Sequence, residues 1–267
     1  MPPALPDVFT PSAQEVADLR TLCETVSEAF TETWNSALVK LAPARTASEN
    51  AFAEHGDLLV HNYPEELVPA ERLALLPTNL FIGASLREES PEARVDDWLA
   101  SSDEPFVYVS FGSFLSVRDD VLARVVGALK QANIRAAIAT GSADVTALGS
   151  LPNNWLVAEF LPQITLLKSA ALAVTHGGNN SVTEALTWGV PLVVLPFSTD
   201  QFAGAEALER VGFGTTLAPN DATVAELKDA IEHMLNMAPE NREALHDLGR
   251  HLRQREGHQD LIRRFLQ

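Results

Sequence analysis

Between Phe106 and Leu217, apolar runs of strand length alternate with stretches whose apolar residues recur at helical spacing. This alternation limits the possible folds more than any other feature of the chain. Runs at 106–111, 134–139, 155–160, 172–175, 192–195 and 214–217 read as strands. The stretches between them predict helices at 116–129, 164–170, 180–188 and 201–211. Thr223 and Glu226 then form a capping box ahead of Leu227, Ile231, Met234 and Leu235, and further helices run from Pro239 to the end. Such an order specifies an α/β fold, a Rossmann-like parallel sheet with helices on both faces. In sheets of this kind ligands bind beyond the carboxyl ends of the strands, so the strand-to-helix loops are where function is sought.

The front of the chain is organised differently. Ser12 and Glu15 form a second capping box, followed by Val16, Leu19, Leu22, Val26 and Phe30 at helical spacing, which predicts a long amphipathic helix reaching about Leu38. Cys23 falls within its apolar pattern and reads as a core residue. It is the one cysteine, so no intrachain disulfide forms, and the composition suits a reducing cytoplasm. Two short strand patterns follow at 57–62, read as buried, and at 79–83. Residues 84–104 carry seven acidic residues and Pro91, and read as an exposed connection with a short helix at 95–100. The expected organisation is therefore residues 1–83, a linker over 84–105, and a main domain over 106–267.

Net charge narrows the partners. With 36 acidic against 19 basic residues the chain carries −17, which opposes binding to nucleic acid. A small anion remains admissible, because helix dipoles act locally against the overall charge. No apolar run is long enough to span a bilayer, and the first residues lack a basic region followed by an apolar stretch, so no transmembrane segment or secretory signal is expected and the cytoplasm is.

Three loops carry the chemistry. Ser110, Phe111, Gly112 and Ser113 follow an apolar strand, where a glycine admits close backbone approach and a hydroxyl can donate to an oxyanion; alone, this is also what an ordinary turn looks like. Thr175, His176, Gly177, Gly178, Asn179, Asn180 and Ser181 join a strand to a helix whose free N–H groups and positive dipole end can hold a phosphate or diphosphate, with His176, Asn180 and Ser181 as side-chain donors; the alternatives are plain N-cap chemistry for Asn-Asn-Ser and a satisfied core histidine for His176. Neither a Gly-x-Gly-x-x-Gly run nor a phosphate-loop lysine is present, so neither an NAD site nor a P-loop is indicated. Glu184 lies on the same helix face as Asn180 and Ser181, placed to accept from two ribose hydroxyls, or simply solvated. Asp200 and Gln201 begin a helix, where they can either read sugar hydroxyls or cap it. Ahead of these, Phe160 and Leu161 end a strand, the aromatic free to stack on a base or to fill the core.

Taken together, Phe160-Leu-Pro-Gln163, His176-Gly-Gly-Asn-Asn-Ser181, Glu184, Gly189-Val-Pro191 and Asp200-Gln201 resemble, in order and spacing, the donor signature of the UDP-glycosyltransferase superfamily of GT-B fold. The bacterial branch, similar to macrolide glycosyltransferases, is the nearer likeness. The resemblance implies that Phe160 stacks on uracil, Leu161 bonds it through backbone groups, and Gln163 and Glu184 serve the nucleoside and its ribose. It implies that Ser113, His176, Gly178, Asn180 and Ser181 hold the diphosphate, and that Asp200 and Gln201 read the sugar. No metal and no cofactor beyond the UDP-sugar co-substrate is implied, and the acceptor is a small lipophilic hydroxyl compound. Phe160 and Asn179 stand where plant members carry tryptophan, and Lys168-Ser169 stands where Pro-His or Asn-His is common.

In the same likeness residues 106–267 correspond to a nearly whole C-terminal domain, and residues 1–83 to the last part of an N-terminal, acceptor-side domain. The family's base is a histidine near the start of that domain. The seven histidines, His55, His61, His176, His233, His246, His251 and His258, include none in a glycine-rich loop after a first strand, so no base is assigned. The leading expectation is a truncated or split hexosyltransferase, with a separate acceptor-domain subunit or self-association covering the exposed helix 16–30 and strand 58–60. A non-catalytic UDP-sugar-binding fragment is the alternative, and a nucleotide-sugar epimerase, which needs carboxylates not recognised here, stands behind it.

Overall fold

The computed structural model describes residues 5–112 and 118–266. Contacts divide the chain into two compact units: Phe9–Val60 with Leu76–Leu80, and Met1–Val8 with His61–Leu75 and Phe81–Gln267. Among the described residues no helix is long and apolar enough to cross a membrane.

The smaller unit is built around α1 (Ala13–Leu41). Its capping box is formed: the Ser12 hydroxyl accepts from the Glu15 N–H, and the Glu15 carboxylate accepts from the Ser12 N–H at 2.8 Å. The following segment folds back on the helix through two side chains. Asn35 exchanges hydrogen bonds with the Ser48 backbone at 2.8 and 2.9 Å, and Thr31 accepts from the Ala51 N–H. Phe30 stacks on Phe52 with ring centroids 4.6 Å apart. The rest of the apolar stripe stays open: Leu19, Leu22 and Val26 are more than half exposed. Cys23 is exposed too, which corrects its reading as core; the segment that folds back reaches only the later turns of the helix. The strand expected at 57–62 is β1 (Leu59–His61), paired with β2 (Asn79–Phe81) in a two-stranded sheet. It is not buried, for Val60 is 41% exposed. Beyond β1, the short α2 (Ala70–Leu73) precedes β2.

The larger unit holds a six-stranded parallel sheet. Its strands are β3 (Phe106–Ser110), β4 (Arg135–Ala139), β5 (Leu156–Ala158), β6 (Leu172–Thr175), β7 (Leu192–Val194) and β8 (Gly214–Thr216), in the spatial order β5-β4-β3-β6-β7-β8. Every residue of β3, β6 and β7 is buried, as expected for strands covered on both faces. The crossovers are α4 (Asp119–Gln131), α5 (Gln163–Leu167), α6 (Asn179–Thr187) and α7 (Gln201–Arg210); α8 (Val224–Leu235), α9 (Pro239–Gln254) and α10 (Gly257–Phe265) complete the unit. The capping box predicted at Thr223 and Glu226 is formed at α8. The opening of α4 that the sequence placed at Ser116 lies outside the described residues.

The acidic segment 84–104 is mostly exposed, as expected, but it is anchored to the sheet. Within it α3 (Ala93–Ala100) buries Val95 completely, and Trp98 lies over the Arg135 guanidinium at 3.7 Å from ring centroid to carbon. Arg135 also donates to the Ser102 carbonyl at 3.1 Å, so the first residue of β4 anchors this segment to the sheet. The charged residues of α3 face water, while Val95 and Trp98 supply its packing.

Candidate functional site

The strand order places β3 and β6 side by side at the centre, and the chain leaves them toward opposite edges of the sheet. The crevice between the loops that follow these two strands is the switch point at which doubly wound sheets bind ligands.

On the β3 side the chain turns through Gly112 at φ +71, with the Ser110 hydroxyl accepting from its N–H at 3.3 Å. Ser113, the next candidate, lies outside the described residues. On the β6 side Thr175 ends the strand and its hydroxyl accepts from the Gly177 N–H at 3.3 Å. Gly177 sits at φ +83, and a Cβ there would fall 2.7 Å from Val194 Cγ1, so the turn tolerates no side chain. The His176 ring lies between two glycines. A Cβ on Gly112 would stand 3.0 Å from its Cε1, and one on Gly178 would stand 2.4 Å from its Nε2. Burial holds the His176 pKa below its usual value, against the pull of the Asp200 charge. Near neutral pH the imidazole is therefore neutral, with one ring nitrogen as donor.

Gly178 is the N-cap of α6 and offers no side chain, so the first-turn N–H groups of Asn179, Asn180 and Ser181 are left uncapped. Asn180 is exposed and Ser181 half-buried. One turn on, Glu184 is buried at 7% exposure, which removes its reading as a solvated helix residue. Its Oε2 accepts from Gln163 Nε2, and Gln163 Oε1 in turn accepts from the Tyr108 hydroxyl at 3.3 Å. The helix start at α6, the His176 ring, Glu184 and Gln163 thus converge on the β3–β6 crevice. Phe160 is 67% exposed, not a core aromatic, while the Leu161 side chain is buried.

In the third loop the helix-capping alternative does not hold. Asp200 occupies the N-cap position of α7 without making a capping bond; its Oδ1 accepts from the Thr199 hydroxyl at 2.8 Å. Thr199 lies at φ +51, a conformation that β-branched residues rarely adopt. Gln201 is buried, and its Oε1 accepts from the Phe197 and Ser198 N–H groups at 2.8 and 3.1 Å. The amide oxygen is engaged in holding its own loop, and Nε2 donates to the Ser198 hydroxyl at 3.4 Å, which leaves one Nε2 hydrogen as the donor Gln201 can offer. Asp200 is exposed and keeps its carboxylate available.

Three residues that the sequence did not mark support these groups. Tyr108 fixes the orientation of the Gln163 amide. Asn62 accepts through its carbonyl from Asn179 Nδ2 at 3.1 Å, at the first residue of α6. Glu89 accepts from the N–H groups of Ile164 and Thr165 at 3.1 and 2.8 Å, in the first turn of α5. Only Tyr108 lies within a motif-bearing strand; Asn62 and Glu89 are far upstream of what they hold, and spacing gives no signal of that kind. Of the other histidines, His61 stacks on Phe81 and His251 approaches Glu66 at 3.7 Å.

A family model described as UDP-glucoronosyl and UDP-glucosyl transferase matches residues 19–251. Among curated proteins, an uncharacterised UDP-glucosyltransferase of Bacillus subtilis is 33% identical over 159 residues, 58% of this chain and 40% of that protein. A PGL/p-HBAD biosynthesis glycosyltransferase of Mycobacterium tuberculosis is 31% identical over 186 residues, 68% of this chain and 41% of that protein. The oleandomycin glycosyltransferase of Streptomyces antibioticus is 29% identical over 192 residues, 68% of this chain and 44% of that protein. The chain therefore spans less than half the length of these relatives. Among solved structures, the kitacinnamycin glycotransferase superposes with a TM-score of 0.72 at 24% identity, covering 96% of this chain and 68% of that one, a likeness of fold.

Proposed function

Because the chain belongs to the UDP-glucoronosyl and UDP-glucosyl transferase family, we propose that it binds a UDP-hexose and serves its transfer to a hydroxyl of a small lipophilic acceptor. One observation carries this reading. A single helix, α6, presents an uncapped first turn beside a neutral histidine, and a buried carboxylate one turn further in. One helical turn, about 5.4 Å of rise, separates the two features, which suits a ligand carrying a diphosphate and a ribose in sequence.

In this reading the Phe160 ring stacks on uracil, and the Leu161 backbone bonds its edge. Glu184 accepts from the ribose hydroxyls while Gln163 holds its carboxylate in place. The N–H groups of α6, with His176, Asn180 and Ser181, receive the diphosphate; Gly178 lets it approach, and Ser113 is assigned to it as well. Asp200 accepts from the hexose hydroxyls and Gln201 donates to the hexose through Nε2.

The acceptor oxygen attacks the anomeric carbon from the face opposite the diphosphate. As that bond forms, the bond from the anomeric carbon to the diphosphate oxygen breaks, UDP leaves with the electron pair, and the configuration inverts. The acceptor proton passes to a base that is not assigned to any described residue. The charge growing on the leaving oxygen meets the helix N-terminus and the His176 N–H, groups fixed before the reaction begins, and these in place of a metal ion are taken to stabilise it. Relatives named for oleandomycin and for PGL/p-HBAD biosynthesis support a hydroxylated small-molecule acceptor.

Calorimetric titration of UDP and UDP-glucose into the chain, beside the Glu184→Ala variant, tests the reading. The chain binds both, and the variant binds each at least about tenfold more weakly, since about 1.4 kcal/mol is lost with the ribose contacts. Absence of binding by the unaltered chain, with its circular dichroism spectrum showing it folded, refutes the proposal.

A further inference from the structure

We infer that Glu89 is a positioning residue for the nucleoside half of the donor site, an inference that rests on the function proposed above. Its carboxylate spans two consecutive backbone donors, with Oε1 3.1 Å from the Ile164 nitrogen and Oε2 2.8 Å from the Thr165 nitrogen. These are the second and third residues of α5, whose N-cap, Pro162, has no side chain able to accept. A helix of five residues is too short to hold itself in place, and its orphan N–H groups need a partner.

The carboxylate side chain is only 10% exposed, and Arg87 approaches it at 3.6 Å. Charge-assisted bonds in such a setting are stronger than neutral ones and fix direction as well as distance. What Glu89 fixes is the segment that bears Phe160, Leu161 and Gln163. Gln163 is the first residue of α5, and its amide must reach both Glu184 and Tyr108 from there. If α5 loosens, the Gln163 amide leaves Glu184, and the aromatic at Phe160 loses its registry with the base. The α6 start is held separately, through Asn62 and through the glycines around His176. Glu89 therefore governs the base and ribose contacts and leaves the diphosphate contacts untouched.

The variants Glu89→Ala and Glu89→Gln, titrated with UDP and with inorganic pyrophosphate, separate this from a general contribution to folding. For Glu89→Ala, UDP affinity falls about tenfold while pyrophosphate affinity is unchanged. Glu89→Gln keeps one acceptor oxygen, should fold where the alanine variant fails to, and gives a smaller loss of UDP affinity. Hydrogen exchange of the Ile164 and Thr165 amides accelerates in both variants. A parallel loss for UDP and pyrophosphate would overturn the inference by showing a diffuse structural role, and so would unchanged UDP affinity in a variant whose two amides exchange faster. Failure of the unaltered chain to bind UDP is a different result: it sinks the proposed function itself, and the inference with it.

Discussion

Replacing Gly178 by alanine tests the role of the His176 ring without touching the histidine. Gly178 has φ −62 and ψ 144, a conformation open to any residue, so alanine introduces no backbone strain. Two small terms partly cancel: the loss of unfolded-state freedom stabilises by about 0.4–1 kcal/mol, and alanine at an N-cap costs about the same. What remains is steric. The new Cβ would fall 2.4 Å from His176 Nε2 and 2.9 Å from Cε1, against a normal contact of about 3.5 Å. The ring has to move away, because the three nearest heavy atoms all belong to it. Overpacking of this kind typically costs about 1–3 kcal/mol in stability. The proposed function adds an effect of similar size that is specific to binding: one hydrogen bond to a charged group is lost, about 1.5–3 kcal/mol, or a roughly 10- to 100-fold drop in UDP affinity. Calorimetry on Gly178→Ala, His176→Ala and the double variant decides the matter. If both changes act through the ring, the double variant binds no more weakly than His176→Ala alone. Losses that add would show the new Cβ barring the diphosphate directly and refute action through the ring, as would a Gly178→Ala variant that binds UDP as well as the parent.

Two further outcomes are expected. Burial holds the folded-state pKa of His176 below its unfolded value near 6.5, so the unfolded chain binds more protons on the acid side. The stability linked to neutral His176 is then complete above pH 6.5 and is lost as the pH falls toward the folded pKa; urea denaturation of the parent and of His176→Asn between pH 5 and 8 should show this slope in the parent alone, and equal slopes refute it. The open stripe on α1, with Leu19, Leu22 and Val26 exposed, should drive concentration-dependent association. Leu22→Glu with Val26→Glu should abolish it in sedimentation velocity while leaving the melting temperature within a few degrees, and association that persists in the double variant sets this aside.

The fold of the larger unit was legible because its strands are buried on both faces and its helices amphipathic. The apolar runs at 106–111 and 172–175 could satisfy only a covered parallel sheet, and both capping boxes formed where the spacing of Ser12 with Glu15 and of Thr223 with Glu226 placed them. The start of α6 was legible for the same local reason, since His176 through Ser181 are consecutive. Where sequence reasoning failed, the deciding contact was remote. Cys23 occupies an apolar position on a helix that little covers, and periodicity shows which face is apolar but not whether anything packs on it. The bonds that Gln201 Oε1 accepts from the Phe197 and Ser198 amides were likewise not legible, since they depend on how the loop folds back on itself. Glu89 sat in an acidic stretch that composition marks as solvated, and found its partners in α5.

The pairing of β3 with β6 has a consequence for the order of assembly. The two strands are neighbours in space but not in sequence: Val107 lies opposite Leu172, and β4 and β5 are laid down in between. Closing so long a loop is entropically unfavourable and happens late unless its contents are already structured. The approach of His176 to Gly112, which joins the two lips of the crevice, is made only when that central pair has formed. During refolding, ligand-binding competence should therefore lag behind the bulk recovery of helix, and a nucleotide added early would find nothing to hold until the middle of the sheet has closed.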